Sequence, residues 1–343
     1  MMKHNFTEPA SINFSKLEER IMAVNHPDFT KVDEIREMLY GLVVNGKPTL
    51  IMATGGSKVV AYYLQLILER IGFNGIITEV IEPRDYFYKA NREMFSNLII
   101  ISASGKTNGI KEALSDFKGN KYLICEEENL VDASVVSWKT ELYEKEKSFI
   151  SLASSLAPIT LLLDATTSIG LELSPREIQS INEKIHELLL RSGEKVECLP
   201  VNFKDTDLIQ IMTGYDTRVS SSVLESNLTE SGISVPILHD KGSFCHGRSN
   251  LLFQYPKSKF IYLMHERKEL DQVLMDLIGE EYSNLSIFDT EDLDDNIFWK
   301  EYYLLLQMYF LSKKIAEDKG MDLTQPEYNQ KIIKKVYNFK GEM

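Results

Sequence analysis

Short runs of consecutive apolar residues recur along the chain, and most are followed by a polar turn and then by apolar residues at helical spacing. Such runs are too short and too uniformly apolar for amphipathic helices, and they are typical of strands buried on both faces of a parallel sheet. They lie at 49–54, 76–80, 98–101, 121–125, 208–213, 233–238 and 260–264. Their alternation with helices predicts an α/β fold with parallel sheets.

Apolar residues three and four positions apart predict helices between these runs. The predicted helices cover 12–45, 58–72, 83–93, 110–117, 149–170, 175–192, 270–278 and 297–319. His26 precedes Pro27, and a residue before proline disfavours the helical conformation, so the first of these segments is expected to break there. Pro158 is expected to interrupt or begin the helix in 149–170.

The second half of the chain repeats the order of the first. Gly72 follows Gly55 by seventeen residues, and Gly232 follows Gly214 by eighteen, each pair enclosing a predicted helix. Two copies of strand, glycine turn, helix, glycine and strand predict duplicated α/β domains. We place N-terminal helices at 1–45, a first domain at 46–195, a second domain at 196–320 and a polar C-terminal tail at 321–343.

The loop at 102–107, Ser-Ala-Ser-Gly-Lys-Thr, is the first candidate for a binding site. It joins a buried strand run to the helix predicted from Ile110. In an open α/β sheet an anion binds there, because free backbone N–H groups, hydroxyls and the positive end of a helix dipole face it. A nucleotide-binding loop would require a glycine where Ile100 stands. An ordinary polar loop remains the alternative.

Composition narrows the class of partner. The 343 residues carry a net charge of −13, which argues against a nucleic-acid or acidic-membrane partner, and no apolar run is long enough for a membrane span. Cys125, Cys198 and Cys245 form no CxxC motif, and the N-terminus has no secretory signal pattern. These features predict a cytoplasmic protein with free thiols, in which a bound phosphate must be held by local groups.

The turn at 55–57 and the loop at 102–107 resemble segments of the SIS (sugar isomerase) family, in its two-domain form of phosphosugar isomerases and deglycases. In the isomerase half of glucosamine-6-phosphate synthase, a Gly-Thr-Ser turn and a Ser-Gln-Ser-Gly-Glu-Thr loop hold the sugar phosphate. The segment 146–151 is similar to a third motif of that protein. The resemblance implies two SIS domains, each a flavodoxin-like three-layer sandwich with a mainly parallel sheet. The substrate- or phosphate-binding residues that it implies are Gly55, Gly56, Ser57, Ser102, Ser104, Thr107 and Ser151.

The resemblance also implies a catalytic set. In these families a glutamate near the end of a helix is the general base, and a histidine of a His-Gly-Pro motif sixteen residues later helps to open the sugar ring. Glu230 and His246 have that spacing, and Lys331 resembles a lysine in the synthase's C-terminal tail. The chain departs from the pattern at Arg248, in place of the proline, and at Asn227, in place of a lysine.

These residue types suit the implied chemistry. Moving a carbonyl between adjacent carbons requires a base such as a partly desolvated carboxylate, and a histidine can shuttle the ring-opening proton. A lysine can stabilise enediolate charge. Taken singly, Glu230 is more typical of a solvated residue on a last helical turn, His246 of a hydrogen-bonded loop residue and Lys331 of a surface charge. Glu225, His239 and Cys245 are interpreted as structural.

The sequence therefore predicts an enzyme of the deglycase or deaminase-isomerase type that acts on an aminated sugar 6-phosphate. A ketose/aldose phosphate isomerase and a non-catalytic phosphosugar-binding regulator stay open as alternatives. No redox or metal cofactor is expected, since the histidines lack metal-ligand spacing. The family implies a homodimer with shared active sites, in which the histidine reaches the partner's site. Arg248 or Lys106 could pair with a carboxylate on the substrate.

Overall fold

The computed structural model describes residues 8–26, 31–71, 76–105, 109–126, 133–167, 175–281 and 284–325. Over these residues the chain is an α/β protein with two parallel sheets flanked by helices, which confirms the predicted fold class. The first sheet contains β1 (Thr49–Met52), β2 (Thr78–Ile81), β3 (Asn97–Ile101), β4 (Asn120–Cys125) and β5 (Ser134–Ser137). The second contains β6 (Leu208–Thr213), β7 (Val235–Asp240), β8 (Lys259–Leu263) and β9 (Leu285–Phe288).

The helices precede, connect and follow these strands. Those of the first half are α1 (Ala10–Ser15), α2 (Leu17–Val24), α3 (Val32–Asn45), α4 (Ser57–Ile71), α5 (Ile110–Asp116), α6 (Ala153–Thr167) and α7 (Pro175–Glu197). Those of the second half are α8 (Arg218–Ser231), α9 (Lys241–Ser243), α10 (Asn250–Gln254), α11 (Glu269–Glu281) and α12 (Ile297–Asp318). In the described part of the chain, no helix is both long and apolar enough to cross a membrane.

Strand order follows the duplicated pattern in the sequence. The first sheet has the order β2-β1-β3-β4-β5 and the second the order β7-β6-β8-β9, and every described strand pair is parallel. Every residue of β1 and β3 is buried, as expected for central strands covered by helices on both faces. In each sheet the order reverses beside the first strand, so both sheets have a crevice at their carboxyl edge.

Three local predictions were wrong or incomplete. Residues 83–93, predicted as one helix, form short 3-10 helices at Asp85–Tyr88 and Arg92–Met94, because the buried Tyr86 side chain donates to Asp116 at the end of α5 and holds the segment there. Helix α6 continues through Pro158 without a break. Its residues are almost all buried, and this packing outweighs the one backbone hydrogen bond that proline cannot make. Strands β5 and β9 were not predicted, because four-residue edge strands leave little apolar signal.

The two halves share one apolar core. Helix α12, near the end of the chain, packs against α7 and α8, and its Tyr302 hydroxyl lies 3.1 Å from the Thr160 hydroxyl of α6. Tyr63 of α4 donates to the Phe298 carbonyl at 3.0 Å. Because α12 contacts helices of both halves, its burial stabilises their mutual arrangement as well as the second sheet.

A buried ion pair fills the carboxyl edge of the second sheet. His265 follows β8, and its Nε2 atom lies 3.0 Å from a Glu301 carboxylate oxygen and 3.0 Å from the Asp216 carbonyl oxygen. Glu301 is fully buried on α12 and accepts the Ser220 backbone N–H at 2.8 Å. Burial alone would lower the pKa of His265, but the Glu301 carboxylate and the Asp216 carbonyl outweigh it and raise that pKa. The crevice of this sheet is thus occupied by protein side chains.

This pair predicts a pH-dependent contribution to stability. A histidine whose pKa is raised by folding stabilises the protein fully below its unfolded-state pKa of about 6.5, and this contribution is lost as pH rises through the folded-state pKa. We expect His265→Gln to lower the free energy of unfolding most below pH 6, with the difference from wild type shrinking toward pH 9 by on the order of 1 kcal/mol. Urea unfolding at several pH values measures this difference.

The matched control is His186→Gln, because His186 and Glu18 form an ion pair that is about half exposed. It should change the free energy of unfolding little at any pH. A difference between wild type and His265→Gln that does not vary with pH would contradict the assignment of a protonated His265.

Candidate functional site at the first sheet

The crevice of the first sheet brings together two polar segments of the chain. Strand β1 pairs with β2 on one side and with β3 on the other, and Met52 is in register with Ile100. The turn at 55–57 follows β1 and the loop at 102–105 follows β3, so both lie at the same carboxyl edge. This is the position where open α/β sheets bind their ligands.

The turn after β1 depends on two glycines. Gly55 has φ 55°, a left-handed conformation that residues with a side chain rarely adopt. A Cβ atom on Gly56 would lie 2.6 Å from the Ser151 Cβ and 3.2 Å from its Oγ. Helix α4 begins immediately afterwards at Ser57, so the missing side chain at Gly56 lets Ser151 pack directly against the start of this helix.

Glu146 organises the segment that carries Ser151. Its carboxylate accepts the backbone N–H groups of Leu152 at 2.8 Å and Ala153 at 2.6 Å, and the Ser154 hydroxyl at 2.7 Å. These are the donors of the first turn of α6, which Glu146 therefore caps. Burial raises the pKa of Glu146, while the three hydrogen bonds favour its ionised form.

Ser151 lies in a cluster of hydroxyls beside the turn. Its Oγ atom is 2.6 Å from that of Ser154 and accepts a hydrogen bond from Ser155 at 2.7 Å. The Tyr309 hydroxyl of α12 donates to the Ser151 carbonyl oxygen at 3.2 Å. The second half of the chain thereby contacts the first-sheet site directly.

The loop after β3 is ordered by its own hydroxyl. Ser102 is buried, and its Oγ accepts the Gly105 backbone N–H at 3.1 Å. The Ala103 carbonyl accepts the Glu126 N–H at 3.0 Å, which ties the loop to the end of β4. Ser104 is exposed at the surface of this loop. Lys106 and Thr107 lie outside the described residues.

Helix α8 carries Glu230 in its last turn and packs against α4 of the first half. In this contact Arg218 donates to Gln65 Oε1 at 2.8 Å and Tyr215 donates to Glu69. The start of α8 therefore contacts the second half of α4.

Electrostatic effects link Glu230 to Tyr309 of α12. Burial raises the pKa of Tyr309, and the carboxylates of Glu146 and Glu230 raise it further. Glu230 is exposed in the last turn of α8, where partial desolvation and the nearby Glu225 raise its pKa and a 2.8 Å hydrogen bond from Ser226 lowers it. A carboxylate with a raised pKa is better suited to take up a proton near neutral pH.

His246 and Glu230 lie at opposite edges of the second sheet. After Glu230 the chain forms β7, whose six residues span about 16–20 Å from the amino to the carboxyl edge. His246 follows in an exposed segment, and Arg248 of that segment donates to the Leu238 carbonyl oxygen at 2.9 Å. One chain therefore does not bring Glu230 and His246 together, and the Arg248 guanidinium is engaged by β7.

Other candidates have a less direct relation to the site. Lys331 lies outside the described residues. Asn227 is buried and donates to the Ser312 hydroxyl at 3.2 Å, so it is turned toward α12. Among the described side chains, no group of three or more histidines, cysteines or acids is arranged to hold a metal ion.

Tyr309, which contacts Ser151, was not predicted from the sequence as a site residue. It lies in the helical pattern of 297–319 among other buried aromatic residues, and nothing in that pattern distinguishes it from them.

Solved structures show the same architecture. The chain is similar to the C-terminal domain of glucosamine-fructose-6-phosphate aminotransferase from Francisella tularensis, with a TM-score of 0.66, 17% identity and coverage of 92% of this chain and 96% of that one. The chain has the SIS fold. Glucosamine-6-phosphate deaminase from Thermotoga maritima also shares this SIS fold (TM-score 0.62, 14% identity, 87% and 95% coverage). So does tagatose-6-phosphate ketose/aldose isomerase from Escherichia coli (TM-score 0.59, 12% identity, 94% and 100% coverage).

At such low sequence identities the similarity establishes the fold only, and the activity has to be argued from the residues of the site. No protein-family model matches the sequence, and no curated protein matches it either.

Because Gly56 lies so close to Ser151, adding a methyl group at position 56 is predicted to destabilise the fold. We expect Gly56→Ala to lower the free energy of unfolding by about 1–3 kcal/mol, because the new Cβ would overlap the Ser151 side chain and force the turn or α6 to move. Gly41→Ala is the matched control, since Gly41 lies in α3 with no atom near its Cβ position. It should raise stability by up to about 1 kcal/mol, because alanine favours the helix. Equal stability of Gly56→Ala and wild type in denaturant unfolding would contradict the close approach.

Proposed function

We propose that this protein is an enzyme that binds a phosphorylated sugar at the carboxyl edge of its first sheet and moves a proton next to the carbonyl or imine carbon. The observation that carries this proposal is the convergence of the turn at 55–57, the loop at 102–105 and Ser151 at the point where the strand order reverses. Such a position, lined by hydroxyls and backbone N–H groups, suits a phosphoryl group.

The phosphate would be held by local dipoles and hydroxyls. Ser57 is the first residue of α4, a helix of 15 residues whose positive end faces the crevice. Ser102 and Ser104 supply hydroxyls from the loop after β3, and Thr107 completes the set that the family resemblance implies. Lys58 is ion-paired with Glu82, so its charge is already largely balanced. A chain with a net charge of −13 repels an anion overall, so the phosphate must be held by local groups, and these dipoles and hydroxyls are such groups.

Glu230 is the proposed general base. Its raised pKa supports proton abstraction. In this proposal Glu230 reaches the site from the second half of the chain, and the bound phosphoryl group would position the reacting carbons against it. Lys331 is the proposed auxiliary cation that stabilises the developing negative charge.

An aminated sugar 6-phosphate is the proposed substrate class, with deglycation or deamination as the reaction. Two of the three solved structures reported above have names that describe reactions of an amino group on a 6-phosphosugar. The third is a ketose/aldose isomerase, and simple isomerisation is the alternative reaction. The two activities share the same proton abstraction and differ in whether an amine leaves.

The active site is proposed to be shared between two copies of the chain. Glu230 and His246 lie at opposite edges of the second sheet, so a catalytic pair needs His246 from a second copy. His246 is exposed and therefore accessible to such a partner. A two-fold dimer would complete two equivalent sites, with His246 of each copy opening the sugar ring bound by the other.

Replacement of the base tests the chemistry. We expect Glu230→Gln to lower kcat by about a hundred- to ten-thousandfold, because the amide cannot take up the proton, while binding of the sugar phosphate changes little. The assay presents fructose 6-phosphate, glucosamine 6-phosphate and fructosamine-6-phosphate adducts and follows ammonia, amine and glucose 6-phosphate. Glu225→Gln, five residues earlier on α8, is the matched control.

The outcomes separate the alternatives. Loss of activity in Glu225→Gln with native turnover in Glu230→Gln would move the base to Glu225. If wild type binds these sugar phosphates and turns over none of them, the protein is a binding protein and the enzymatic proposal is wrong.

Mixed dimers test the shared site. Glu230→Gln and His246→Asn should each be inactive alone. If chains exchange freely between dimers, half of the dimers in an equal mixture carry one site with both native residues, so about a quarter of wild-type activity should return. Activity measured before and after mixing, with size-exclusion chromatography to confirm the dimer, provides the comparison. Failure of the activity to return in a verified mixed dimer would contradict a site built from two copies.

A further inference from the structure

With Glu146 ionised, the hydroxyl protons of the cluster around Ser151 have a fixed direction. The Ser154 hydroxyl donates to a carboxylate oxygen of Glu146 at 2.7 Å, and this uses its single proton. The Ser151 and Ser154 hydroxyl oxygens are 2.6 Å apart. Since Ser154 has no second proton to offer, Ser151 must be the donor in this contact.

The direction of these hydrogen bonds determines which hydrogen bond Ser151 can still make with a ligand. Its proton is committed to Ser154, and its oxygen lies 2.7 Å from the Ser155 hydroxyl, which donates either to it or to the Gly56 carbonyl oxygen at 3.3 Å. A hydroxyl has one proton and two lone pairs, so the oxygen of Ser151 retains at least one lone pair and no proton. Toward a ligand, Ser151 is therefore an acceptor.

An acceptor in this place discriminates between the two ends of a sugar phosphate. A phosphate dianion carries no proton to donate, and a lone pair directed at it would be repulsive. A sugar hydroxyl carries a proton and is complementary. Ser151 lies in contact with the position of Gly56 and is partly exposed, so it can reach a ligand held beside the turn at 55–57.

We propose that Ser151 binds a hydroxyl of the sugar and not the phosphate, and that the Glu146 carboxylate is the positioning residue that enforces this choice through Ser154. This inference rests on the proposed function and divides its site into a phosphate end, at Ser57 and the loop at 102–105, and a sugar end at Ser151. The resemblance to known phosphosugar enzymes did not assign Ser151 to either end.

The groups around Glu146 are compatible with its role as an ionised acceptor. Its two oxygens together accept two backbone N–H groups and one hydroxyl. Tyr143 and Tyr309 are the titratable side chains on which its charge acts, and the pKa of each is raised by burial and by Glu146. The nearby Glu126 is ion-paired with Lys145 at 3.0 Å. Neither tyrosine donates to Glu146, so the direction of the serine chain is set by the carboxylate.

The test compares two probes on the full-length protein by isothermal titration calorimetry. Inorganic phosphate reports the phosphate end, and sorbitol 6-phosphate reports both ends while lacking a carbonyl that could react. We expect Ser151→Ala to weaken sorbitol 6-phosphate about five- to tenfold, the effect of one lost hydrogen bond, and to leave inorganic phosphate within about twofold. Ser57→Ala should weaken both probes. Ser148→Ala, three residues before Ser151 with a buried hydroxyl that makes no hydrogen bond to the described residues, should change neither.

A second variant tests the direction of the chain. Ser154→Ala removes the acceptor of the Ser151 proton, which can then be donated to a ligand. We expect the preference of this variant for sorbitol 6-phosphate over inorganic phosphate to fall at least about twofold, through tighter binding of phosphate.

Each other result has a definite meaning. If Ser151→Ala weakens inorganic phosphate as much as sorbitol 6-phosphate, Ser151 is a phosphate ligand and the inference is wrong. If it changes neither probe, or if Ser154→Ala binds both probes as wild type does, the assigned donor direction is wrong. If wild type binds neither probe, the proposed function itself fails, and the inference falls with it.

Discussion

The candidate site depends on the close approach of Gly56 to Ser151. These residues belong to segments nearly a hundred positions apart, and a Cβ at Gly56 would occupy the space that the Ser151 side chain fills. The approach joins the positive end of α4 to the hydroxyl cluster that Glu146 organises at the start of α6. The start of α4, Ser151 and the loop after β3 thereby lie at one crevice, while the donors at the start of α6 are satisfied by Glu146.

The second half of the chain contributes to this crevice through helix packing. Arg218 lies over the rings of Tyr62 and Tyr215 and donates to Gln65, so the start of α8 is held against the middle of α4. Helix α12 contacts α6 through Tyr302 and reaches Ser151 through Tyr309. At the carboxyl edge of the second sheet His265 and Glu301 are buried and lie 3.0 Å apart, so the two sheets differ in the side chains at this edge. The second half gives structural support to the site of the first, and Glu230 is the residue that it is proposed to supply.

Much of the architecture was predictable from local patterns. The apolar runs located seven of the nine described strands, and the repeat of strand, glycine turn and helix indicated two related sheets. The missed strands β5 and β9 are short edge strands, whose residues need not be uniformly apolar. The segment 83–93 has helical spacing, but the hydrogen bond from Tyr86 to Asp116 holds it in two short turns. Local preference is weak there, and a tertiary contact outweighs it.

The amino-acid sequence was sufficient to indicate the fold class, the turn at 55–57 and the loop at 102–105, because strand burial and tight turns depend on residues close together in the chain. The tertiary structure alone brought Ser151 against Gly56, placed Tyr309 beside Ser151 and set Glu230 and His246 at opposite edges of the second sheet. It also showed that Arg248 donates to the Leu238 carbonyl of β7 and that the Ser151 and Ser154 hydroxyls are in hydrogen-bond contact. Such relations depend on how helices pack across the shared core, and packing partners distant in sequence leave no periodic signal in either segment.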